Sequence, residues 1–305
     1  MQNDAWNNEM QALVSLLDDP DSNIFTQVSA KIHGFGAQAI PFLQRAWENS
    51  FDPLVQSRIE EILHRINLEN VTRELSQAVE NDCQDLLQAW ISFSRFQYPG
   101  IDEDEIRRDI QKIRKDVWLE LNQNLTALEQ IKVFNQVFFD LHGFSGNSEH
   151  YFAPDNFFVN RVIASRKGNP VSLSALYLII AQSVDLPVYG VNLPEHFVLA
   201  YTGKGYDISS MRMVENKVLF YINPFSKGLV FSEPEVEKFI KNLKLEPLPS
   251  YFNPCSNTQL IMRMINSLIM SYEREKMPDK QKDLEQIRDT LHEISGKPSS
   301  GSFES

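Results

Sequence analysis

The stretch that decides the fold is RKGNPVSLSALYLIIAQ, which runs from Arg166 to Gln182. Asn169 is a preferred N-cap, because its side-chain oxygen can accept hydrogen bonds from the free amides of the first helical turn. Pro170 then takes the first helical position, where a missing N–H costs nothing and the fixed φ suits a helix. Apolar residues follow at spacings of three and four, the period of a buried helix face: Leu173, Leu176, Tyr177 and Ile180. The pattern predicts a core helix that begins at Asn169.

The composition is that of an ordinary soluble protein, with 42% apolar and 23% charged residues among 305. The chain is long enough for more than one domain. Its formal net charge of −12 argues against nucleic acid and anionic membrane surfaces as partners. No apolar run approaches the length of a bilayer span, and MQNDAWNNEM lacks the basic and apolar regions of a signal peptide. We therefore expect a cytoplasmic protein.

Neither cysteines nor carboxylates form a metal-binding pattern. Cys83 and Cys255 are too few for a disulfide framework and have no metal-ligand spacing, so both are interpreted as reduced thiols. The acidic run from Asp102 to Glu105 is interpreted as a solvated helix start, because consecutive carboxylates point around a helix and do not converge on a cation. No metal and no organic cofactor are predicted.

The N-terminal region, residues 1–68, alternates short amphipathic helices with tight turns. None of these helices can bury its apolar face alone, which is typical of stacked helical repeats. The run GAQAIPFL followed by DPLVQSRIEEIL resembles a HEAT or armadillo-type repeat. This part of the chain is therefore predicted to be a HEAT-like helical segment.

The rest of the chain is predicted to contain a mixed domain over residues 69–248, a helical hairpin over 249–295 and a disordered tail over 296–305. Within the mixed domain, short segments rich in Val, Tyr, Phe and Leu favour antiparallel strands: LPVYGVNL, HFVLAYT, KGYDIS and KVLFYINPF. The hairpin consists of NTQLIMRMINSLIMSYERE and DKQKDLEQIRDTLHEI. The predicted fold class is α+β, with helical repeats, a helix-plus-antiparallel-sheet core and a C-terminal helical hairpin.

Three blocks of this sequence carry a family resemblance: HGFSGNSEHYFAPDNFFVNRVIASRKGNPVSLSALYLIIAQSVDLPVYGVNLPEHFVLAY, FYINPFSKG and RMINSLIMSY. Together they resemble the bacterial invasion-regulator-type transglutaminase-like family, a branch of the papain-like and transglutaminase-like superfamily. The third block is similar to that family's C-terminal, tetratricopeptide-like helices. The resemblance covers residues 86–291, and the residues before about position 70 lie outside it.

The resemblance implies where a catalytic site would lie. His196 matches the superfamily's catalytic histidine, and Asn223 matches the aspartate that orients it, an amide serving this purpose in papain-like enzymes. Pro170 falls at the position of the nucleophilic cysteine, and proline has no nucleophilic atom. Members of this branch commonly carry PISLS where this chain has PVSLS, so the resemblance implies that the loss of the cysteine is a trait of the branch and not an accident of this chain.

Two other residues are candidates for a displaced nucleophile. Ser174 returns to within about 40° of Pro170 in azimuth but lies about 6 Å further along the helix, whereas Ser172 faces roughly backwards. Cys255 precedes the C-terminal hairpin and could fold back over the site. Glu195 is predicted to alternate to the other face of the strand from His196, which makes it a poor second carboxylate for acid–base chemistry.

Three functions remain open at this point. The first is a non-catalytic transglutaminase-like module whose cleft binds a protein or peptide, with Asn169, Pro170, Ser172 and Glu195 as candidate binding residues. The second is a hydrolase or acyl-transferase in which His196 acts as base for a displaced nucleophile. The third is a structural scaffold in which the histidine and Asn223 only brace the sheet. The first is preferred because of the proline at the helix start.

Overall fold

The computed structural model describes residues 2–122, 124–203 and 218–296, with side chains from residue 6 onward. The chain divides into two compact units, Met1–Glu74 and Leu75–Ser305. The predicted strand KGYDIS and residues 297–305 of the predicted disordered tail lie outside the described residues. The domain boundaries predicted at residues 68, 248 and 295 stay predictions.

The first unit is built from amphipathic helices. They are α1 (Gln2–Ser15), α2 (Ser22–Gly34), α3 (Ile40–Asn49) and α4 (Pro53–Glu80), of which the residues up to Glu74 belong to this unit. Their apolar stripes pack into one core that includes Leu17, Ile32, Leu43 and Ile59, all fully buried. Helix α4 continues through residue 68, since NLENVT contains no glycine or proline that would end it. The repeat character of these helices stays a prediction.

The second unit contains the remaining helices. They are α5 (Leu86–Ser94), α6 (Glu103–Glu120), α7 (Ala127–Asn135), α8 (Val159–Ser165), α9 (Pro170–Ser183), α10 (Glu233–Asn242), α11 (Asn257–Arg274) and α12 (Pro278–Ser295). Helix α7 continues as π-helix over Gln136–Leu141, and a short 3₁₀ turn spans Pro154–Phe157. The two predicted segments of the C-terminal hairpin correspond to α11 and α12.

The main sheet is antiparallel and has four described strands in sequential order. They are β3 (Val188–Asn192), β4 (Phe197–Thr202), β5 (Val218–Asn223) and β6 (Leu229–Phe231). A separate parallel pair joins β1 (Ser145–Gly146) to β2 (Lys167–Gly168), directly before α9. Together with the helices, this sheet confirms the predicted α+β fold class. The three-residue strand β6 was not predicted.

Helix α9 lies at the centre of the second unit. Its residues from Pro170 to Leu178 are all buried, including both serines, so the helix is covered on every side rather than on the single face that the sequence predicted. It contacts β3 and β4 on the sheet side, and α5, α6, α8 and α11 around the rest of its surface. The opposite face of the sheet is covered by α10, whose Val236 and Ile240 pack with Val198 and Ala200.

Candidate functional site

The start of α9 is held by a reciprocal capping interaction. The Ser172 backbone N–H donates to Asn169 Oδ1 at 2.9 Å, and the Asn169 backbone N–H donates to Ser172 Oγ at 3.0 Å. Pro170 takes the first helical position and is buried. The predicted Asn–Pro helix start is therefore present, and Ser172 serves the helix cap through both its backbone and its side chain. A hydroxyl held in this way is poorly placed to attack a substrate.

A cleft of about 1110 Å³ opens at this helix start. We call it the α9–α11 cleft. One wall contains Asn169, Pro170 and Val171. Another comes from Asn192 at the end of β3, Glu195 in the following turn and Phe197 at the start of β4. The remaining walls come from Tyr151, Phe152 and Phe157, from Val79 and Asp82, from α11 and from the end of α12 at His292 and Ser295. The cleft therefore joins the predicted helix start to the C-terminal hairpin.

Helix α11 lines the cleft with one continuous stripe. These residues lie three, four, seven, eight, eleven and fifteen positions after Gln259, so they share one helix face. They are Gln259, Met262, Arg263, Asn266, Ser267, Met270 and Arg274. The opposite stripe, which includes Leu260, Met264 and Leu268, is fully buried or nearly so. From Gln259 to Arg274 the cleft face extends about 22 Å at 1.5 Å per residue.

Two side chains that line the cleft, Arg263 and Asn169, have hydrogen-bond donors that can still bind a further acceptor. The Arg263 guanidinium donates from Nη1 to Asn192 Oδ1 at 3.2 Å, and burial lowers its pKa. Among the described residues, no carboxylate forms an ion pair with it. Asn169 is 3% exposed, and its Nδ2 is buried without a hydrogen-bond partner in the part of the chain that the structure describes. The Arg274 guanidinium lies 3.7 Å above the Phe152 ring.

His196 lies immediately before β4 and its side chain is exposed. The imidazole packs on Phe239 of α10, with 5.1 Å between ring centroids. Its neighbours Glu195 and Phe197 line the α9–α11 cleft, whereas His196 is not among the described residues that do so. Glu195 has a left-handed backbone conformation, with φ of 60°. The structure thus brings Glu195 to the cleft with Pro170 and turns His196 towards α10.

Asn223 ends β5 and caps the short helical turn that follows. Its Oδ1 accepts from the Ser226 backbone N–H at 3.3 Å. Tyr221 packs into the α10 side of the sheet, and Asn223 lies two residues further along the strand, hence on the same face. His196 and Asn223 therefore belong to one face of the sheet, but no hydrogen bond between their side chains occurs among the described contacts.

Neither of the two candidate nucleophiles is well placed to react. Ser174 is fully buried, and its Oγ donates to the Phe197 carbonyl oxygen at 3.4 Å. The Cys255 backbone N–H donates to the Gly190 carbonyl oxygen at 2.7 Å, which fixes this segment against β3. Burial raises the pKa of the Cys255 thiol to about 12. A thiol with so high a pKa supplies almost no thiolate at neutral pH.

Sequence reasoning missed the α11 side of the cleft, including Arg263, and also missed Tyr151 and Asn192. A usable signal was present, since polar and methionine residues recur on α11 at the helical period, beside an apolar stripe of the same helix. The described residues contain no group of three or more His, Cys, Asp or Glu side chains placed to hold a metal ion. Among those same residues, no helix has the length and apolar character needed to cross a membrane.

Helix α9 packed on an antiparallel sheet, with helices before and after this core, is the arrangement of a transglutaminase-like fold. Residues 104–266 match the family described as the transglutaminase-like superfamily, which is over half of the chain. The chain belongs to this superfamily. The match confirms the family resemblance found in the sequence.

Several curated relatives are similar to this chain over part of its length. A "UPF0162 protein" of Xylella fastidiosa (strain 9a5c) is 24% identical over 201 residues, covering 64% of this chain and 67% of the relative. "Protein SirB1" of Salmonella typhimurium is 26% identical over 177 residues, covering 57% and 60%. Human "F-box only protein 21" is 29% identical over 145 residues, covering 48% of this chain but 22% of the relative. No solved structure matches the chain.

Proposed function

We propose that this chain is a non-catalytic transglutaminase-like protein that binds a peptide or protein segment in the α9–α11 cleft and serves a regulatory or scaffolding role. The observation that carries the proposal is Pro170, which lines the cleft at the helix start and has no nucleophilic atom. Acyl transfer through a covalent intermediate would need such an atom at this position, and the His196 ring packs against Phe239 instead of facing Pro170's cleft.

The dimensions of the cleft favour a peptide over a small molecule. Its α11 face is about 22 Å long, which matches about seven residues of extended chain at 3.3 Å each. Met262 and Met270 lie along this face. Methionine side chains are flexible and polarizable, so they can adapt to different apolar side chains of a ligand.

The alternative is a hydrolase or acyl-transferase with a displaced nucleophile. It has less support, because Ser174 Oγ is buried against the Phe197 carbonyl and the Cys255 thiol has a raised pKa. The scaffold interpretation differs from both of these functions because it expects no ligand in the cleft. Measurements of turnover and of binding separate the three functions.

We expect no catalysis, even when a thiol is restored at the helix start. The full chain should release no ammonia from glutamine-containing peptides above the buffer rate, and Pro170→Cys should remain inactive because no imidazole faces the new thiol. Circular dichroism of the variant checks that α9 still forms. A rate that appears in either protein and disappears on adding His196→Ala would favour the alternative enzyme function.

We expect peptide binding to shift the methyl signals of the methionines that line the cleft. In the full chain labelled at the methionine methyl groups, a pool of peptides of about seven residues should shift the signals of Met262 and Met270. Met277 is a matched control, because it is 40% exposed and lies outside the cleft, whereas Met270 is 54% exposed within it. Equal shifts at Met277 and Met270, or no shift at any methionine, would contradict binding in the cleft.

A further inference from the structure

The α9–α11 cleft contains a buried amide donor with nothing to donate to. Asn169 Oδ1 accepts the Ser172 backbone N–H, which fixes the orientation of the carboxamide. Its Nδ2 is then left buried and without a partner among the described residues, although the residue is only 3% exposed. An unpaired buried donor costs free energy, which a ligand oxygen placed opposite it would recover.

Arg263 provides positive charge in the same cleft. It lies partly buried on α11, and its described hydrogen bond goes to the neutral oxygen of Asn192. Of the two carboxylates that line the cleft, Asp82 accepts from the Thr258 backbone N–H at 3.4 Å and Glu195 is exposed. Neither forms an ion pair with Arg263 among the described contacts. The guanidinium charge is therefore partly desolvated and uncompensated, which favours an anionic ligand.

The N-terminus of α9 adds to this preference. The helix has 14 residues and directs the positive end of its dipole towards the cleft wall that contains Asn169 and Val171. Helix N-termini bind negatively charged oxygen groups for this reason. The formal net charge of the whole chain is −12, so these local positive features would act against a long-range repulsion of an anionic ligand.

We propose that the cleft recognises its peptide through a carboxylate, bound by the Arg263 guanidinium with the Asn169 carboxamide as second donor. A planar carboxylate matches the fork of a guanidinium. One arginine and one neutral donor suit a single negative charge better than a phosphate, which carries nearly two. This inference rests on the proposed binding function. The carboxylate can come from a peptide C-terminus or from an Asp or Glu side chain.

The test compares three pools of N-acetylated peptides of about seven residues against the full chain. One pool ends in a free carboxylate, one ends in an amide and lacks Asp and Glu, and one ends in an amide but contains glutamate. We expect at least one acidic pool to bind about tenfold more tightly than the neutral pool. Tighter binding by the free-carboxylate pool alone would show that the cleft binds a peptide C-terminus. Tighter binding by the glutamate-containing pool would show that it also accepts a side-chain carboxylate.

Variants then connect the preference to Arg263. Arg263→Gln should abolish the difference between acidic and neutral pools, and Arg263→Lys should keep part of it because the charge remains. Arg108→Gln is the matched control, since Arg108 is 69% exposed on α6 and should leave the difference intact. Equal affinities for all pools, with Met262 still shifted by them, would overturn the carboxylate inference and leave the peptide-binding function standing. Absence of binding by every pool would overturn both.

Discussion

Gly228→Ala is expected to destabilise the second unit by about 3 kcal/mol, from backbone strain and overlap together. Gly228 ends the segment INPFSKG and has φ of 70°. A methyl group there would overlap the Asn135 carboxamide. That carboxamide cannot move freely, because its Nδ2 donates to the Gly228 carbonyl at 3.0 Å and its Oδ1 accepts from the Tyr177 hydroxyl at 2.9 Å. Displacing it would leave the buried Tyr177 hydroxyl of α9 without this partner.

Gly143→Ala is the matched control for the strain alone. Gly143 has φ of 73°, close to that of Gly228, but a methyl group built there meets no atom within 4 Å. We expect a loss of about 1 kcal/mol for this variant. Calorimetric unfolding of both variants beside the unchanged protein measures the difference. Equal losses of stability in the two variants would show that overlap with Asn135 contributes nothing. The contact between this segment and α9 would then adjust to the extra methyl group without cost.

The sequence was sufficient to predict the elements around α9 because each has a local signal. The Asn–Pro pair marks the helix start, and the strands β3, β4 and β5 are short β-branched or aromatic runs between turn residues. The strand β6 lacks that signal, since three residues are too few for a period. Helix α4 runs through the domain boundary predicted at residue 68, because NLENVT contains no glycine or proline that would end a helix there.

The candidate site was less predictable because it depends on packing between distant segments. Alternation correctly separates the directions of Glu195 and His196, but it does not say which direction leads to the cleft. In the structure two features determine which side chain reaches the cleft. Glu195 has a left-handed conformation, with φ of 60°, and the His196 ring packs on Phe239. Arg263 reaches the cleft only because α11 packs on α9, and no local pattern specifies that contact.

Trp90→Ala, behind the cleft wall at Phe157, is expected to destabilise the second unit by about 4 kcal/mol. Trp90 lies on α5, is fully buried and donates from Nε1 to the Phe157 carbonyl oxygen at 2.8 Å. Phe157 itself lines the cleft. Removal of the indole would create a large cavity and leave a buried carbonyl without this donor. Urea unfolding followed by circular dichroism measures the loss, which is large compared with the marginal stability of most domains.

Two further variants separate what the buried volume and the hydrogen bond of Trp90 each contribute to stability. Trp90→Phe keeps most of the apolar volume and removes the hydrogen bond, so it should cost about 1–3 kcal/mol, less than Trp90→Ala. Trp118→Ala removes the same side chain from α6, where it is 62% exposed, and should change stability by about 0.5 kcal/mol or less. Since Phe157 lines the cleft and its carbonyl accepts the Trp90 hydrogen bond, we expect Trp90→Phe also to weaken peptide binding at the cleft, whereas Trp118→Ala should not. A Trp90→Phe protein that binds peptides with unchanged affinity would mean that the cleft wall at Phe157 keeps its position without this hydrogen bond.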